Sequence, residues 1–542
     1  LENWWFSEMR NCLKIPECYL SFWASPAFLC IAFGVIAFQF LVYLLASPSH
    51  DWDIDAFLYL GSRLDQGFLL YTKDFETKLP FVQYLFWIPY KLGGIGSWRI
   101  LSFLISTIFV FVSSKIIIRS LGIFCENYFY GCVLIYLLQI VSLPGGESSH
   151  ISIIASVCIY LAVSFLLYDG QYFKYINFFA SGAMISIAAS IRPNYIFIVP
   201  AFIMLVFSNR RDFESIVVSI LQLLFGFCMV IICQFVPYFF NINDISSLVD
   251  GLNALNNFSN GLNYIQLLKQ QFVVNKYYYN AIQDGRFYII LYLSFIYIIT
   301  NIAISWHDNR RLDKIDHILL FCLASIIMIN ISFMRTHYWK HYSVMFSPFA
   351  TLMIVSILSS KNNKIKIFQT ILILLFISLP LKSIIHNIKI MNKNKYFEFN
   401  INDRNTTHSL VELTKNIRSN GYSFYVPFNV NYHRIVGEER IGDGHPVMVG
   451  YVISGKKIGP INGIDLYNYK FYSHPCHAFD QSGKDFIIIS GKDYNDNPDA
   501  AQCIEKSQVY MNSCGSSLPK DQFVRDFCNH SDGVKIYQRM LL

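Results

Sequence analysis

The chain has 542 residues, 54% of them hydrophobic and 17% aromatic, while only 15% carry a formal charge, against roughly a quarter in soluble domains. That balance excludes an ordinary soluble enzyme, and it excludes a disordered chain, whose signature is few apolar residues and much charge. The net charge of +7 is spread in short clusters rather than along a strip interleaved with aromatics, so nothing points to nucleic acid.

A span needs about 20 consecutive apolar residues. In chain order, such windows run over Ala27 to Leu45, Ile100 to Ile118, Phe124 to Leu143, His150 to Tyr168, Tyr175 to Ile191, and a shorter Pro193 to Phe207. Others follow at Ser215 to Phe235, Phe287 to Ser305, Ile315 to Phe333, Tyr342 to Leu358 and Ile367 to Ile385. The expected fold is an α-helical polytopic membrane protein with about eleven transmembrane helices over residues 1–392. The first window is read as a retained helix, because it is longer than the apolar core of a secretory signal.

Short cytoplasmic loops are rich in Lys and Arg. Arg119, Lys174, Arg210 with Arg211, Arg310 with Arg311 and Lys314, and Lys361 with Lys364 and Lys366 all fall on one side of the predicted bundle, together with Arg10 and Lys14. The amino terminus is therefore expected in the cytoplasm and the carboxyl terminus outside, in the periplasm or its equivalent, with the protein in the plasma (inner) membrane. Three outer connections stand out: Ser47 to Arg99, the turn around Glu147, and Phe239 to Arg286. Apolar pieces too short to span, such as Phe81 to Tyr90, suit amphipathic helices lying in the interface.

From about residue 393 the apolar runs shorten to strand length, as in Ser423 to Phe428, Pro446 to Ile453, Asp485 to Ser490 and Val534 to Tyr537. Thr407 to Ser419 reads as a helix with Gly421 beyond its end. Residues 393–542 are expected to form a soluble α/β domain outside the membrane. Cys476, Cys503, Cys514 and Cys528 fall in it, where an oxidising compartment allows two disulfides in three possible pairings; the spacing lacks the close cysteine pairs of a zinc site.

Ionisable groups at a bilayer are costly and are functional candidates by default. His50-Asp51-Trp52-Asp53-Ile54-Asp55 follows the first span and places three carboxylates in five residues. Behind it come Phe57, Tyr59 and Gly61, then Gly67-Phe-Leu-Leu-Tyr71, then Asp74-Phe-Glu-Thr-Lys78-Leu-Pro80 and Tyr84. A second acidic candidate is Glu147, in Pro144-Gly-Gly-Glu-Ser-Ser-His150. An acidic residue also suits a helix start for purely structural reasons.

Basic residues on the outer side break the topology rule. Arg192 sits in Ser190-Ile-Arg-Pro-Asn-Tyr195, and Met334-Arg335-Thr-His337-Tyr338-Trp-Lys340-His341-Tyr342 is an outer turn dense in bases and aromatics. An aromatic belt with snorkelling cations would explain the aromatics, but the four basic or titratable groups suit a phosphate clamp better. Arg binds phosphate through two parallel hydrogen bonds and Lys as a point charge. Arg192 and Arg335 therefore lead, followed by Lys340, His337, His341 and Lys78. Lys276 to Tyr279 reads as a further interface belt.

The first connection, with its acidic residue, aromatic helix, Gly-x-x-x-Tyr, acidic residue and Lys-x-Pro, resembles the outer loop of integral-membrane C-type fold glycosyltransferases. It looks most like the branch of protein O-mannosyltransferases and lipid A aminoarabinose transferases. About 35 residues carry the specific match. The resemblance implies a polyprenyl-phosphate sugar donor and an acceptor glycan, lipid or protein on the outer face of the cell envelope. It also implies a role near the donor for Lys78, and substrate-lining positions for Tyr59, Tyr71 and Tyr338. Several relatives carry a second acidic residue in the loop of Glu147. Where many members have an adjacent Asp-Glu pair, this chain has Asp53-Ile54-Asp55, so the base is Asp53 or Asp55, with the spacing to Phe57, Gly61 and Gly67 favouring Asp53.

The chemistry is consistent with those residue types. Sugar transfer from phosphate needs a carboxylate to take the acceptor proton and fixed cations for the charge developing on the leaving phosphate. One direct displacement inverts the anomeric centre. No pattern demands a cofactor; Asp53 and Glu147 are the pair that would hold a divalent cation if one is used. The competing readings are a polysaccharide polymerase or ligase with a polyprenyl-diphosphate donor, which does not require the early acidic loop, and a transporter, for which internal repeats are expected and not found.

Overall fold

The computed structural model describes residues 25–45, 52–72, 78–123, 126–143, 150–168, 174–209, 212–259, 293–300, 314–332 and 340–358, together with 385, 416–417, 419–422, 424–425, 485–490, 510–512 and 534–539. Two compact units emerge. One contains Leu1–Leu45, Trp98–Phe235 and Tyr264–Lys389; the other contains Ala46–Ser97, Val236–Asn263 and Ile390–Leu542.

The helices fall on the apolar windows, except those at Trp52–Asp65, Phe81–Leu92 and Ile242–Ser259, which lie in the connections between them. They are α1 (Pro26–Leu45), α2 (Trp52–Asp65), α3 (Phe81–Leu92), α4 (Ile95–Ser120), α5 (Glu126–Ser142), α6 (Ser152–Leu167) and α7 (Lys174–Ile191). A 3-10 turn, Pro193–Ile198, leads into α8 (Val199–Asn209), and α9 (Phe213–Phe235) runs into a second, Val236–Phe240. Then come α10 (Ile242–Ser259), α11 (Lys314–Ser332), a third 3-10 helix at Lys340–Phe346 and α12 (Ser347–Leu358).

Among the described residues, three helices are long and apolar enough to cross a membrane: Gly96–Ser120, Phe213–Phe240 and Lys314–Ser332. Shorter apolar helices occupy Pro26–Phe38, Ser152–Leu167, Ile176–Ile191, Pro193–Ser208 and Tyr342–Leu358. Three of the eleven expected spans thus reach spanning length among the described residues, while the windows at Pro193 and Tyr342 give shorter apolar helices. The window at 367–385 lies outside the described residues except for residue 385.

In the first unit α6 is the central helix: every residue of it except Phe165 is buried. Polar groups inside join it to its neighbours. The Tyr136 hydroxyl of α5 lies 2.5 Å from Ser156 Oγ, and the Tyr160 hydroxyl lies 3.3 Å from Ser114 Oγ of α4 and 3.1 Å from Cys132 Sγ of α5. Ser181 Oγ of α7 donates to the Ala162 carbonyl at 2.9 Å, and Gln139 Nε2 of α5 donates to Thr351 Oγ1 of α12 at 2.7 Å. Between helices in lipid, each such bond contributes about 0.6–2 kcal/mol. The outside is the reverse: α9 turns Leu221, Phe225 and Ile232 outward, with Phe225 59% exposed, an exterior suited to acyl chains rather than water.

Helices α7 and α9 meet backbone to backbone. A Cβ on Gly182 would collide with the Leu223 carbonyl oxygen, and one on Gly226 with the Phe179 carbonyl oxygen. Small residues permit such close approach, which drives helix association in membranes. Gln234 Nε2 of α9 adds a hydrogen bond to Ser190 Oγ of α7 at 3.2 Å.

In the second unit, α2 and α3 pack as a helical pair. Beyond residue 393 the described residues include β1 (Phe424–Tyr425), β2 (Phe486–Ser490), β3 (Tyr510–Asn512) and β4 (Val534–Arg539), in the order β1-β2-β4-β3. β1 runs parallel to β2, with Phe424 beside Phe486; β4 runs antiparallel to both β2 and β3, with Ile488 opposite Ile536. The expected strands at 424, 486 and 534 are present, and β3 was not singled out in the sequence. Pro446 to Ile453 and Cys476, Cys503, Cys514 and Cys528 lie outside the described residues.

Replacing Gly182 or Gly226 by Leu forces α7 and α9 apart and is expected to destabilise the bundle by about 2–3 kcal/mol, read as a lower unfolding midpoint in detergent. An unchanged midpoint would show that the helices do not depend on this contact.

Candidate functional site

Arg192 ends α7. Proline disfavours helical backbone in the residue before it, and Arg192, preceding Pro193, is extended at φ −134° and ψ 94°. Its side chain leaves the helix and is only 3% exposed. Nε donates to Ser152 Oγ at 2.7 Å, and Nη1 donates to the Tyr342 hydroxyl at 3.4 Å. Nη2 lies 3.1 Å from Nδ1 and 2.9 Å from Nε2 of His150. The guanidinium also lies over the Tyr342 ring, 4.8 Å from its centroid, a cation–π geometry. Each guanidinium nitrogen therefore reaches a different residue.

The neighbouring side chains extend the junction. Asn194 Nδ2 donates to Ser332 Oγ at the end of α11 at 2.9 Å, and the Tyr195 hydroxyl donates to the Met345 carbonyl at 3.1 Å. Three connections assigned from sequence to one face thus meet at one end of this unit: the one ending at His150, the one at Arg192, and the one ending at Tyr342. In the sequence, Glu147 precedes His150 by three residues and His341 directly precedes Tyr342.

His150 is itself buried. The Ser152 amide donates to its Nδ1 at 3.2 Å, and Ser152 Oγ lies 3.0 Å from the same nitrogen. Nδ1 is therefore an acceptor without a proton, which puts the proton of a neutral ring on Nε2 and makes Nδ1 the ring nitrogen that can accept from Arg192 Nη2.

Asp53 and Asp55 fall in the first turn of α2, with side chains outside the described set. Glu147, Arg335, His337 and Tyr338, and the Lys276 to Tyr279 run, lie outside the described residues; Lys340 and His341 open the 3-10 helix Lys340–Phe346, with side chains likewise outside. Among the described residues no group of three or more His, Cys, Asp or Glu side chains is placed to hold a metal.

The first-connection motif in the second unit is organised by packing. Gly61 of α2 touches α3 directly, since a Cβ there would stand 2.6 Å from the Phe86 carbonyl oxygen, and the Phe57 and Phe86 rings lie 5.2 Å apart. Gly67, at φ 87°, ends α2: its N–H bonds to the Leu64 carbonyl and that of Phe68 to the Arg63 carbonyl, both at 2.9 Å, a Schellman closure. Buried Gln83 of α3 then braces the returning chain. Its Oε1 accepts from the Leu70 amide at 2.8 Å, while Nε2 donates to the Phe68 carbonyl at 2.9 Å and to the Leu60 carbonyl at 3.2 Å.

Tyr71 adopts φ 70°, unusual for a residue with a side chain. It is 0% exposed, and its hydroxyl donates to the Lys78 carbonyl at 2.6 Å. The Tyr71 ring closes on Gly251 of α10, where a Cβ would come within 2.5 Å, and the Tyr238 hydroxyl donates to the Leu70 carbonyl at 2.6 Å. Two long connections, 47–99 and 239–286 in the sequence reading, are therefore tied together here. Lys78 Nζ lies 5.2 Å from the centroid of the Phe57 ring. Tyr59 is 8% exposed; both Tyr59 and Tyr71 occupy packing positions in this unit. Burial pushes the Tyr84 hydroxyl up to about 12.

At the far end of the pair, Lys91 Nζ contacts Asp65 Oδ1 at 2.6 Å and Trp87 Nε1 donates to the same oxygen at 3.2 Å. The hydrogen bond from Lys91, then that from Trp87, holds the Asp65 carboxyl below its ordinary value. The contact is whole above the ordinary aspartate range and weakens as pH falls through the lowered value. The indole N–H resonance of Trp87 should move in that acid titration, and one that stays fixed would contradict the contact. Gln83→Leu, which strips three backbone groups of their partner, is expected to cost about 3 kcal/mol and to open the 66–80 segment to protease; resistance equal to wild type would show that the brace is dispensable.

His150, Ser152, Tyr342, Gln83 and Tyr238 were not singled out as site residues. His150 and Tyr342 close two of the motifs quoted above, but their partners are distant in sequence. No family model matches the chain, and no curated protein sequence matches it. Among solved structures, the chain is similar to the crystal structure of the Archaeoglobus fulgidus oligosaccharyltransferase, a complex with zinc and sulfate, at 8% identity and a TM-score of 0.42, over 88% of this chain and 71% of that one.

Proposed function

We propose that this chain is a membrane glycosyltransferase that moves a sugar from a polyprenyl-phosphate donor to a glycan, lipid or protein acceptor on the outer face of the plasma (inner) membrane, its amino terminus cytoplasmic and residues 393–542 forming an α/β domain outside. The observation that supports it best is the meeting of three connections on the buried guanidinium of Arg192. A cation held away from water attracts phosphate more strongly than an exposed one.

In this reading a carboxylate of the first connection, Asp53 ahead of Asp55, takes the proton of the acceptor hydroxyl. The oxygen attacks the anomeric carbon opposite the phosphate, the sugar–phosphate bond breaks, and its electron pair remains on the phosphate oxygen, with inversion at carbon. Arg192 and Arg335, with Lys340, His337, His341 and Lys78, neutralise that charge. Glu147 orients the acceptor or shares a divalent cation with Asp53. Tyr338 lines the substrate, while Tyr59 and Tyr71 act by holding the connection that brings Lys78 in.

The test compares surface polysaccharide and lipid, by mass spectrometry, from cells without the protein and cells expressing wild type, Asp53→Asn, Asp55→Asn or the double variant. Wild type should restore one sugar-sized mass increment, and Asp53→Asn should lower it by about 100-fold or more at equal protein level. Full modification by the double variant would sink the mechanism.

A further inference from the structure

We propose that His150 is a positioning residue for Arg192, holding the guanidinium in the orientation in which it binds a lipid-linked phosphate; this rests on the function proposed above. Three observations support it. His150 is 1% exposed and its acceptor nitrogen, Nδ1, lies 3.1 Å from Arg192 Nη2. Its own orientation is fixed from the backbone, because the Ser152 amide donates to Nδ1. Ser152 completes the hold, its hydroxyl accepting from Arg192 Nε at 2.7 Å while lying 3.0 Å from His150 Nδ1.

The arrangement has a chemical logic. An arginine side chain has several rotatable bonds, and a phosphate gains most from a guanidinium whose plane is already set. Fixing that plane requires acceptors, since every guanidinium nitrogen donates. A carboxylate in the same place would satisfy the geometry but neutralise the charge that a phosphate needs. A neutral imidazole and a serine hydroxyl supply lone pairs without cancelling it. The Tyr342 ring, 4.8 Å from the guanidinium carbon, braces the group in the same uncharged way.

The test uses the purified full chain in detergent with farnesyl phosphate as the probe, binding being read by tryptophan fluorescence and folding by the unfolding midpoint. His150→Leu should weaken binding about tenfold or more, whereas His150→Gln, which keeps an acceptor, should stay within about threefold of wild type. Rescue by Gln at an unchanged midpoint is the result that a merely structural role does not produce. If His150→Leu binds like wild type while Arg192→Ala does not, the positioning role is overturned and the phosphate-binding reading stands. If Arg192→Ala also binds like wild type, that reading fails and the positioning role fails with it. Should His150→Leu not fold, His150→Gln and Ser152→Ala decide: retention in the first with loss in the second supports the proposal, and any other combination overturns it.

Discussion

Arg192, only 3% exposed, places a charge inside the described structure. A charge taken out of water costs several kcal/mol unless hydrogen bonds replace its hydration. Arg192 cannot discharge itself by losing a proton, so the chain around it must supply acceptors. It does so from three places: Ser152 at the start of α6, His150 two residues before it, and Tyr342 in the 3-10 helix ahead of α12. The convergence of otherwise unconnected segments follows from that one requirement.

Where the guanidinium sits is set further along the same helix. The Gly182 and Gly226 contact fixes α7 against α9, and the Gln234 bond to Ser190 lies two residues before Arg192. Pro193 then ends α7 so that the next side chain leaves the helical path. A seam of small residues and one proline thus convert helix packing into the position of a charge. In the second unit a glutamine does similar work without charge, its single side chain replacing three backbone hydrogen bonds that a turn would otherwise leave open.

Much of this was legible in the sequence, unevenly. Apolar periods located the helices because burial and length leave a compositional trace. Arg192 stood out because a cation on the outer side breaks the topology rule. The first-connection motif was also visible, yet part of it reflects packing: Gly61 is required by the α2–α3 contact, Gly67 by the turn that ends α2, and Tyr71 by a buried tie to the Lys78 backbone. Spanning length is less evenly visible: among the described residues Gly96–Ser120, Phe213–Phe240 and Lys314–Ser332 reach it, while windows such as Tyr342–Leu358 give shorter apolar helices. His150, Gln83 and Tyr238 escaped notice because a hydrogen bond between residues far apart leaves no local pattern; nothing near Leu70 announces that its carbonyl waits for a tyrosine 168 positions later.

That separation has a consequence in time. At about 5–20 residues per second, roughly 10–30 s of synthesis pass between Leu70 and the arrival of Tyr238, 168 residues on. Arg192 likewise precedes Tyr342 by 150 residues. During these intervals the early connection and the charge at the end of α7 exist without these partners. Water or an insertion partner must satisfy them until the later helices enter. Both bonds can form only after these later residues have been made, and a chain stalled before them would carry its polar groups ahead of the elements built to hold them.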